Sequence, residues 1–254
     1  MTKKNIPYII AHRGNCDGLP ENSLSAFKRA IHYNADGIET DVQLTKDNIP
    51  VIFHDNTSFR LTGRKKRIFS YTLDDLQQFN LNNEKIPTLA TTLELFSSSI
   101  PLYIEIKTDR FTRISNQSVI LTKKVIKQVL NLSLAVQKNI FILSFDPDVL
   151  KQAYSMSNTI KCVLNLNGKE KWCIKIKDIL NKTFDFSILS GVCINLNNLT
   201  SELVNFAHMH NIKVFTYSCN TEKQLKKLLG FKLDGIMTDR AEWLTKRIKY
   251  ETRD

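Results

Sequence analysis

A chain of 254 residues, 42% hydrophobic and 24% charged, has an ordinary globular composition and enough length for a sizeable core. Its net charge of +11 suits an anionic partner: a phosphate substrate, a membrane surface or nucleic acid. Five cysteines, Cys16, Cys162, Cys173, Cys193 and Cys219, form no CxxC and no Cys/His ligand spacing. That argues against a disulfide framework and structural zinc, and fits reduced thiols in a cytoplasmic setting.

The apolar run Ile9-Ile10-Ala11 near the start is too short for a signal segment or a membrane span, so a soluble, unexported protein is expected. It reads instead as a strand (8–11). A segment of helical period follows, with Leu24, Phe27, Ala30 and Ile31 on one face and Asn22 or Ser23 as its cap. GIETDVQLT is a second strand, PTLATTLELF a helix and LYIEIK (102–107) a strand. SVILTKKVIKQVLNLSLAV reads as one long amphipathic helix, then NIFILSF as a strand. The alternation continues: PDVLKQAYSM helix, TIKCVLNL strand, EKWCIKIKDILN helix, GVCINL strand, SELVNFAHMH helix, IKVFTYS strand. EKQLKKLLG is a helix, LDGIMTD a strand and RAEWLTKRIKY a closing helix. Strands alternating with helices imply parallel βαβ units. About eight units in this length favour a (β/α)8 TIM barrel, which takes roughly 250 residues. An open doubly wound sheet stays compatible with the alternation, but GxGxxG and GxxxxGK[ST] are absent. One domain over 1–254 is expected. Residues 55–87, with Gly63, the cluster Arg64-Lys65-Lys66-Arg67 and a short helix in TLDDLQQF, form a small insertion between the second and third barrel strands.

Side chains i and i+2 of a strand share a face, so Glu39 pairs with Asp41, and Glu105 with Lys107. Both pairs, and His12, sit toward the C-terminal ends of strands, where barrel enzymes carry their active sites. Asp47-Asn48 is read as a two-residue hairpin turn, since both residues tolerate positive φ. In that register Lys46 faces Ile49 and Asp41 faces His54, which delivers His54 to the carboxylates. A slip of one residue would turn it to the other face. Three carboxylates without cysteine are a hard-oxygen site for one Mg²⁺ or Ca²⁺. Arg13 and Lys107 can clamp a phosphate on that cation, and His12 and His54 can serve as general base and general acid. The set suits metal-assisted phosphodiester cleavage. Taken singly, each residue has a plainer reading: a strand-end Glu is usually a surface charge, and His12 alone could be a core histidine. His32, His208 and His210 have only such a reading, the last two lying on a helix with no acidic partner in sight.

The motifs AHRG (11–14), PENS (20–23), DGIETDVQLTKDNIPVIFHD (36–55), IPTL (86–89), IEIK (104–107), LSF (143–145) and DGIMTDR (234–240) run through almost the whole chain. In this order they resemble the glycerophosphodiester phosphodiesterase family, in its short soluble bacterial form. The resemblance implies a TIM barrel that hydrolyses glycerophosphodiesters to sn-glycerol 3-phosphate and an alcohol. It implies a divalent cation on Glu39, Asp41 and Glu105, His12 and His54 as the acid/base pair, and Arg13 and Lys107 on the phosphate. His12 is favoured as base. Glu21 and Asn22 support the first loop, and Phe215 and Asp239 support the pocket. The substrate is then a small molecule rather than nucleic acid, with peripheral membrane contact allowed but not required. The family's Trp-Thr-Val-Asn run, matched to Phe215-Thr216-Tyr217-Ser218, loses its Trp and Asn. Two rivals remain: release of headgroups from lysophospholipids or sphingomyelin by the same residues, and a barrel that only binds anions. The carboxylates speak against the second, because they repel a phosphate unless a metal intervenes.

Overall fold

The computed structural model describes residues 6–63, 65–108, 116–166 and 187–250. Within them β1 (Tyr8–His12), β2 (Gly37–Leu44), β4 (Leu102–Ile106), β5 (Ile140–Ser144), β6 (Lys161–Leu166), β7 (Leu189–Asn195), β8 (Lys213–Tyr217) and β9 (Gly235–Thr238) pair in parallel, each with its neighbour. β1 pairs with both β2 and β9, so the sheet closes into an eight-stranded barrel. The expected open-sheet alternative is thereby removed. The helix expected in EKWCIKIKDILN, with Cys173, lies outside the described residues, as does Arg64.

The strands are apolar on both faces because both are covered. Outward-facing residues such as Ile9, Ile38, Ile104, Ile142 and Leu164 pack under helices in one large cluster. Inward-facing residues fill the barrel: Ile10, Tyr103, Phe141, Leu143, Val163, Cys193, Phe215 and Met237. Tyr103 stacks on Phe141 at 4.4 Å, and Phe215 meets Tyr103 edge-on at 5.5 Å. Gly191 and Gly235 make room for the Phe215 ring, which a Cβ at either position would approach to 2.8 Å. Phe215 is therefore a support in the floor. Tyr217, two residues further along β8, is the partly exposed one.

Local signals set most element ends. Ser23 caps helix Leu24–His32, its Oγ accepting from Ala26 N, which leaves Asn22 for another task. The long helix expected over 118–136 is two, Asn116–Leu130 and Leu134–Gln137, because Ser133 starts a new cap. The 55–87 segment shares a small core with the strand Pro50–Ile52 and Phe53, formed by Val51, Phe53, Ile68, Tyr71, Leu76, Leu81 and Ile86, beneath helices Phe59–Thr62 and Leu73–Gln77. Lys65 and Lys66 lie exposed and lean over the rings of Phe59 and Tyr71. No helix among the described residues is long and apolar enough to cross a membrane.

The hairpin register differs from the expected one. β3 (Pro50–Ile52) pairs with β2 as Val42 with Ile52, Gln43 with Val51 and Leu44 with Pro50. Thr45 N donates to Ile49 O, so the loop is Lys46-Asp47-Asn48, three residues with one positive φ, 61° at Asn48. Asp47 cannot serve as a second left-handed residue, because its carboxylate is committed to Thr45 Oγ1 at 2.6 Å and Leu73 N at 3.1 Å. A single left-handed residue after a type I turn gives the three-residue loop. Asp41 consequently faces Phe53, whose N donates to Asp41 O, and not His54.

Truncating the floor tests its structural role. Phe215→Ala should cost about 3–5 kcal/mol of stability through the cavity it leaves, read as a urea midpoint shift. An undiminished midpoint would place Phe215 outside the packed core.

Candidate active site

The slipped register still brings His54 to the barrel mouth, because β3 ends at Ile52 and strand alternation stops there. Gln43 Nε2 donates to both Phe53 O (2.8 Å) and Asp55 O (2.7 Å), which pins the segment that carries His54. Its Nδ1 donates to Asp55 Oδ1 at 2.8 Å, and Asp55 Oδ2 accepts from Arg60 Nε at 2.7 Å.

The carboxylates meet because two parallel registers align them: His12 lies beside Glu39, and Asp41 beside Glu105. One oxygen each of Glu39, Asp41 and Glu105 lie within 4.8 Å of one another, all buried. Lys107 Nζ donates to Glu105 Oε1 at 2.7 Å and pairs with Asp41 Oδ1 at 3.2 Å. Asn22 Nδ2 donates to Asp41 Oδ2 at 2.8 Å, while its Oδ1 accepts from Thr40 Oγ1 at 2.8 Å. Thr40 thus points away from the site, and its hydroxyl orients the asparagine that holds a site carboxylate.

The loop after β1 turns sharply at Arg13, φ 55°. Arg13 N donates to Glu39 Oε2 at 3.0 Å, its Nη1 donates to Glu21 Oε2 at 3.0 Å, and its Nε lies 3.4 Å from Asp41 Oδ2. Glu21 also accepts from Arg60. His12 Nδ1 donates to Asp239 Oδ1 at 2.5 Å, and its Nε2 lies 3.8 Å from Glu39 Oε2. Asp239 is held in turn by Asn220, whose Nδ2 donates to Oδ2 and whose Oδ1 accepts from Asp239 N at 2.9 Å.

Charge and burial separate these groups. Burial, then the charges of Asp41 and Glu105, push Glu39 up to about 8. Burial acts likewise on Asp41, but the charges of Lys107, His54 and Arg13 outweigh it and hold its carboxyl well below the usual range. Burial opposes a charged His12, yet the Asp239 hydrogen bond and the Glu39 charge win and raise its pKa. Burial and the Lys107 charge lower that of His54. Three mutually repelling carboxyl groups, buried and convergent with hard oxygens, are the donor set a divalent cation fits.

All the expected site residues except Phe215 therefore converge on one mouth. The sequence reading missed Asp55, Arg60, Asn165 and Asn220. Asn165 Nδ2 donates to Glu105 Oε2 at 2.9 Å. Its signal was present: a lone polar residue two positions beyond inward-facing Val163, at the C-terminal end of β6. Asn220 also corrects the expected loss at β8. An asparagine is present two residues past Ser218, and its side chain makes the polar contact to Asp239. His208 does have an acidic partner, Asp234 Oδ2 at 3.0 Å, remote from the mouth at the start of β9.

The chain matches the model of the glycerophosphoryl diester phosphodiesterase family over residues 12–243. It is 30% identical to a glycerophosphodiester phosphodiesterase of Bacillus altitudinis, over 91% of this chain and 94% of that one. It is 28% identical to one of Caldanaerobacter subterraneus, over 95% and 97%. Among solved structures, a phosphodiesterase of Oleispira antarctica in complex with its product sn-glycerol-3-phosphate superimposes with a TM-score of 0.81 at 23% identity, over 96% of this chain and 97% of that one.

The pKa pattern yields a sign for pH dependence. Glu39 and His12 both hold protons more tightly folded than unfolded, so the stability each contributes is lost as pH rises through its folded pKa. The lowered carboxyls of Asp41, Asp55 and Asp239 contribute stability above their unfolded pKa and lose it only in acid. In EDTA, the urea midpoint should therefore fall between pH about 5.5 and about 8.5, and Glu39→Gln should flatten that slope. An equal slope in the variant would exclude Glu39 as its source.

Proposed function

Because the chain is an enzyme of the glycerophosphoryl diester phosphodiesterase family, we propose that it hydrolyses glycerophosphodiesters to sn-glycerol 3-phosphate and an alcohol, using a divalent cation and two histidines. The observation that carries this reading is the convergence of three buried carboxylates within 4.8 Å with two His–Asp pairs and two cations, Arg13 and Lys107. The product bound by the Oleispira antarctica relative supports the choice of substrate.

Glu39, Asp41 and Glu105 would hold Mg²⁺ or Ca²⁺. When bound, such a cation supplies charge to polarise the phosphoryl group. Arg13 and Lys107 hold non-bridging oxygens of the phosphate and offset its charge. Each histidine has Nδ1 tied to an aspartate, which leaves Nε2 for proton transfer. One histidine takes the proton from the attacking water or glycerol 2-hydroxyl, and the other gives one to the departing alkoxide; where the 2-hydroxyl attacks, water then opens the cyclic phosphate to glycerol 3-phosphate. The order favoured by the sequence, His12 as base, runs against the local charges: Asp239 and Glu39 keep the proton on His12, and Lys107 drives it off His54. These charges support His12 as the donor and His54 as the acceptor. Glu21 supports Arg13, Asn22 supports Asp41 and Asp239 supports His12. The full chain, 1–254, is read as one domain, with 55–87 an excursion of the barrel. Free Cys16, Cys162, Cys193 and Cys219, three of them buried, support a cytoplasmic setting.

A second reading, headgroup release from lysophospholipids by the same residues, draws on Phe59, half exposed at the mouth-side corner beside Arg60, with Lys65 against its ring. Release of glycerol 3-phosphate from glycerophosphocholine and glycerophosphoethanolamine, set against choline release from lysophosphatidylcholine, separates the two. Diester turnover should exceed lysolipid turnover, vanish in EDTA and return with Mg²⁺ or Ca²⁺. His12→Ala and Glu39→Ala should each lower kcat by about 10²–10⁴ with the fold intact. No cation-dependent turnover on any diester would defeat the hydrolase reading. A p-nitrophenyl ester of glycerol phosphate, whose leaving group needs no proton, assigns the histidines. His12→Ala should regain activity on it and His54→Ala should not; the opposite result would restore His12 as base.

A further inference from the structure

One polar residue of the mouth leaves its side-chain acceptor unused. Asn165 is 4% exposed, on the inner face of β6, one inward step beyond Val163. Its Nδ2 donates to Glu105 Oε2 at 2.9 Å, while its Oδ1 is buried without a hydrogen-bond partner. The amide orientation is fixed by the neighbour: turned over, the carbonyl oxygen would face a carboxylate oxygen, acceptor against acceptor. Oδ1 and Nδ2 share one carbon, so the unused oxygen lies beside the same carboxylate that joins Glu39 and Asp41 in the acidic cluster.

A buried acceptor without a donor is rare in folded proteins and calls for an occupant. Lys107 does not fill this role, being engaged with Glu105 Oε1 and Asp41 Oδ1. A cation beside Glu105 would. We infer that Asn165 is a working member of the cation site, its amide nitrogen turning Glu105 and its amide oxygen serving as a fourth protein oxygen that faces the bound cation. An amide oxygen extends the ligand set without adding charge to a cluster already crowded with it. It suits Ca²⁺, which takes six to eight oxygens, carbonyls among them, more than Mg²⁺, which keeps several waters.

The inference rests on the cation site proposed above, and calcium binding to the EDTA-stripped full chain, followed by calorimetric titration, tests the two apart. Asn165→Leu removes both donor and acceptor at similar volume and should weaken Ca²⁺ binding by about 10–100-fold. Asn165→Asp keeps the oxygen and replaces the donor nitrogen with a second oxygen; it should bind Ca²⁺ at least as tightly as the unaltered protein. Leucine at unaltered affinity would overturn the inference and leave the carboxylate site standing. Aspartate as weak as leucine would overturn it too, since the nitrogen alone would then matter. An unaltered protein without saturable Ca²⁺ binding would defeat the cation site itself.

Discussion

The structure depends on one electrostatic constraint: three carboxylates must share a volume sealed from water. Closing the barrel sets Asp41 beside Glu105 and His12 beside Glu39, whatever the charges prefer. Two full charges 4.8 Å apart repel by about 3–4 kcal/mol at an effective dielectric of 20. The surrounding groups answer that repulsion in three ways. Lys107 bridges Asp41 and Glu105, Arg13 lies against Asp41, and burial with the neighbouring charges raises the proton affinity of Glu39. Each answer is also a chemical resource. The ammonium and guanidinium that quiet the carboxylates are the kinds of group that pair with a phosphate, and added positive charge would lower the proton affinity of Glu39.

That arrangement needs a backbone able to present it, and the cost is concentrated in the first loop. Arg13 and Asn22 both take positive φ, a conformation that strains residues with a Cβ. Gly14 between them runs against helix Leu24–His32, where a Cβ would come within 2.7 Å of Ala26 Cβ. The strain is held by specific bonds: Asn22 N donates to Arg13 O, and the Asn22 side chain spans Thr40 and Asp41. A loop this constrained keeps Arg13 facing the carboxylates in place of the open solvent that a long cationic side chain prefers.

Period-two alternation and parallel register are local rules, and they made Glu39, Asp41, Glu105, Lys107 and His12 legible from the sequence. The hairpin was misjudged because its register depends on Asp47, whose carboxylate caps Leu73 N, 26 residues away. No local pattern reports such a bond. His54 reached the mouth by a different route from the one expected, through the end of β3 and the two carbonyls held by Gln43. The same limit applies to Asp239 and Asn220: Asp239 was named and Asn220 was not, and their bonds to His12 and to each other exist only once β1 and β9 are neighbours. Phe215, expected as a support of the pocket, lies below the mouth. It alternates correctly into the barrel, but the two glycines that admit its ring, Gly191 and Gly235, lie on the adjacent strands and draw it into the floor.

The result is a mouth graded by depth. Leu143, Val163, Cys193 and Met237 close the bottom without polar contact to offer. Above them sits the ring of Glu39, Asp41, Glu105 and Asn165, and around that Arg13, Lys107 and the two histidines. Cations and carboxylates interleave at this level: Lys107 sits between Asp41 and Glu105, Arg13 lies against Asp41, and both imidazoles keep their second nitrogen unbound to aspartate. The net charge of +11 favours the approach of an anion in general.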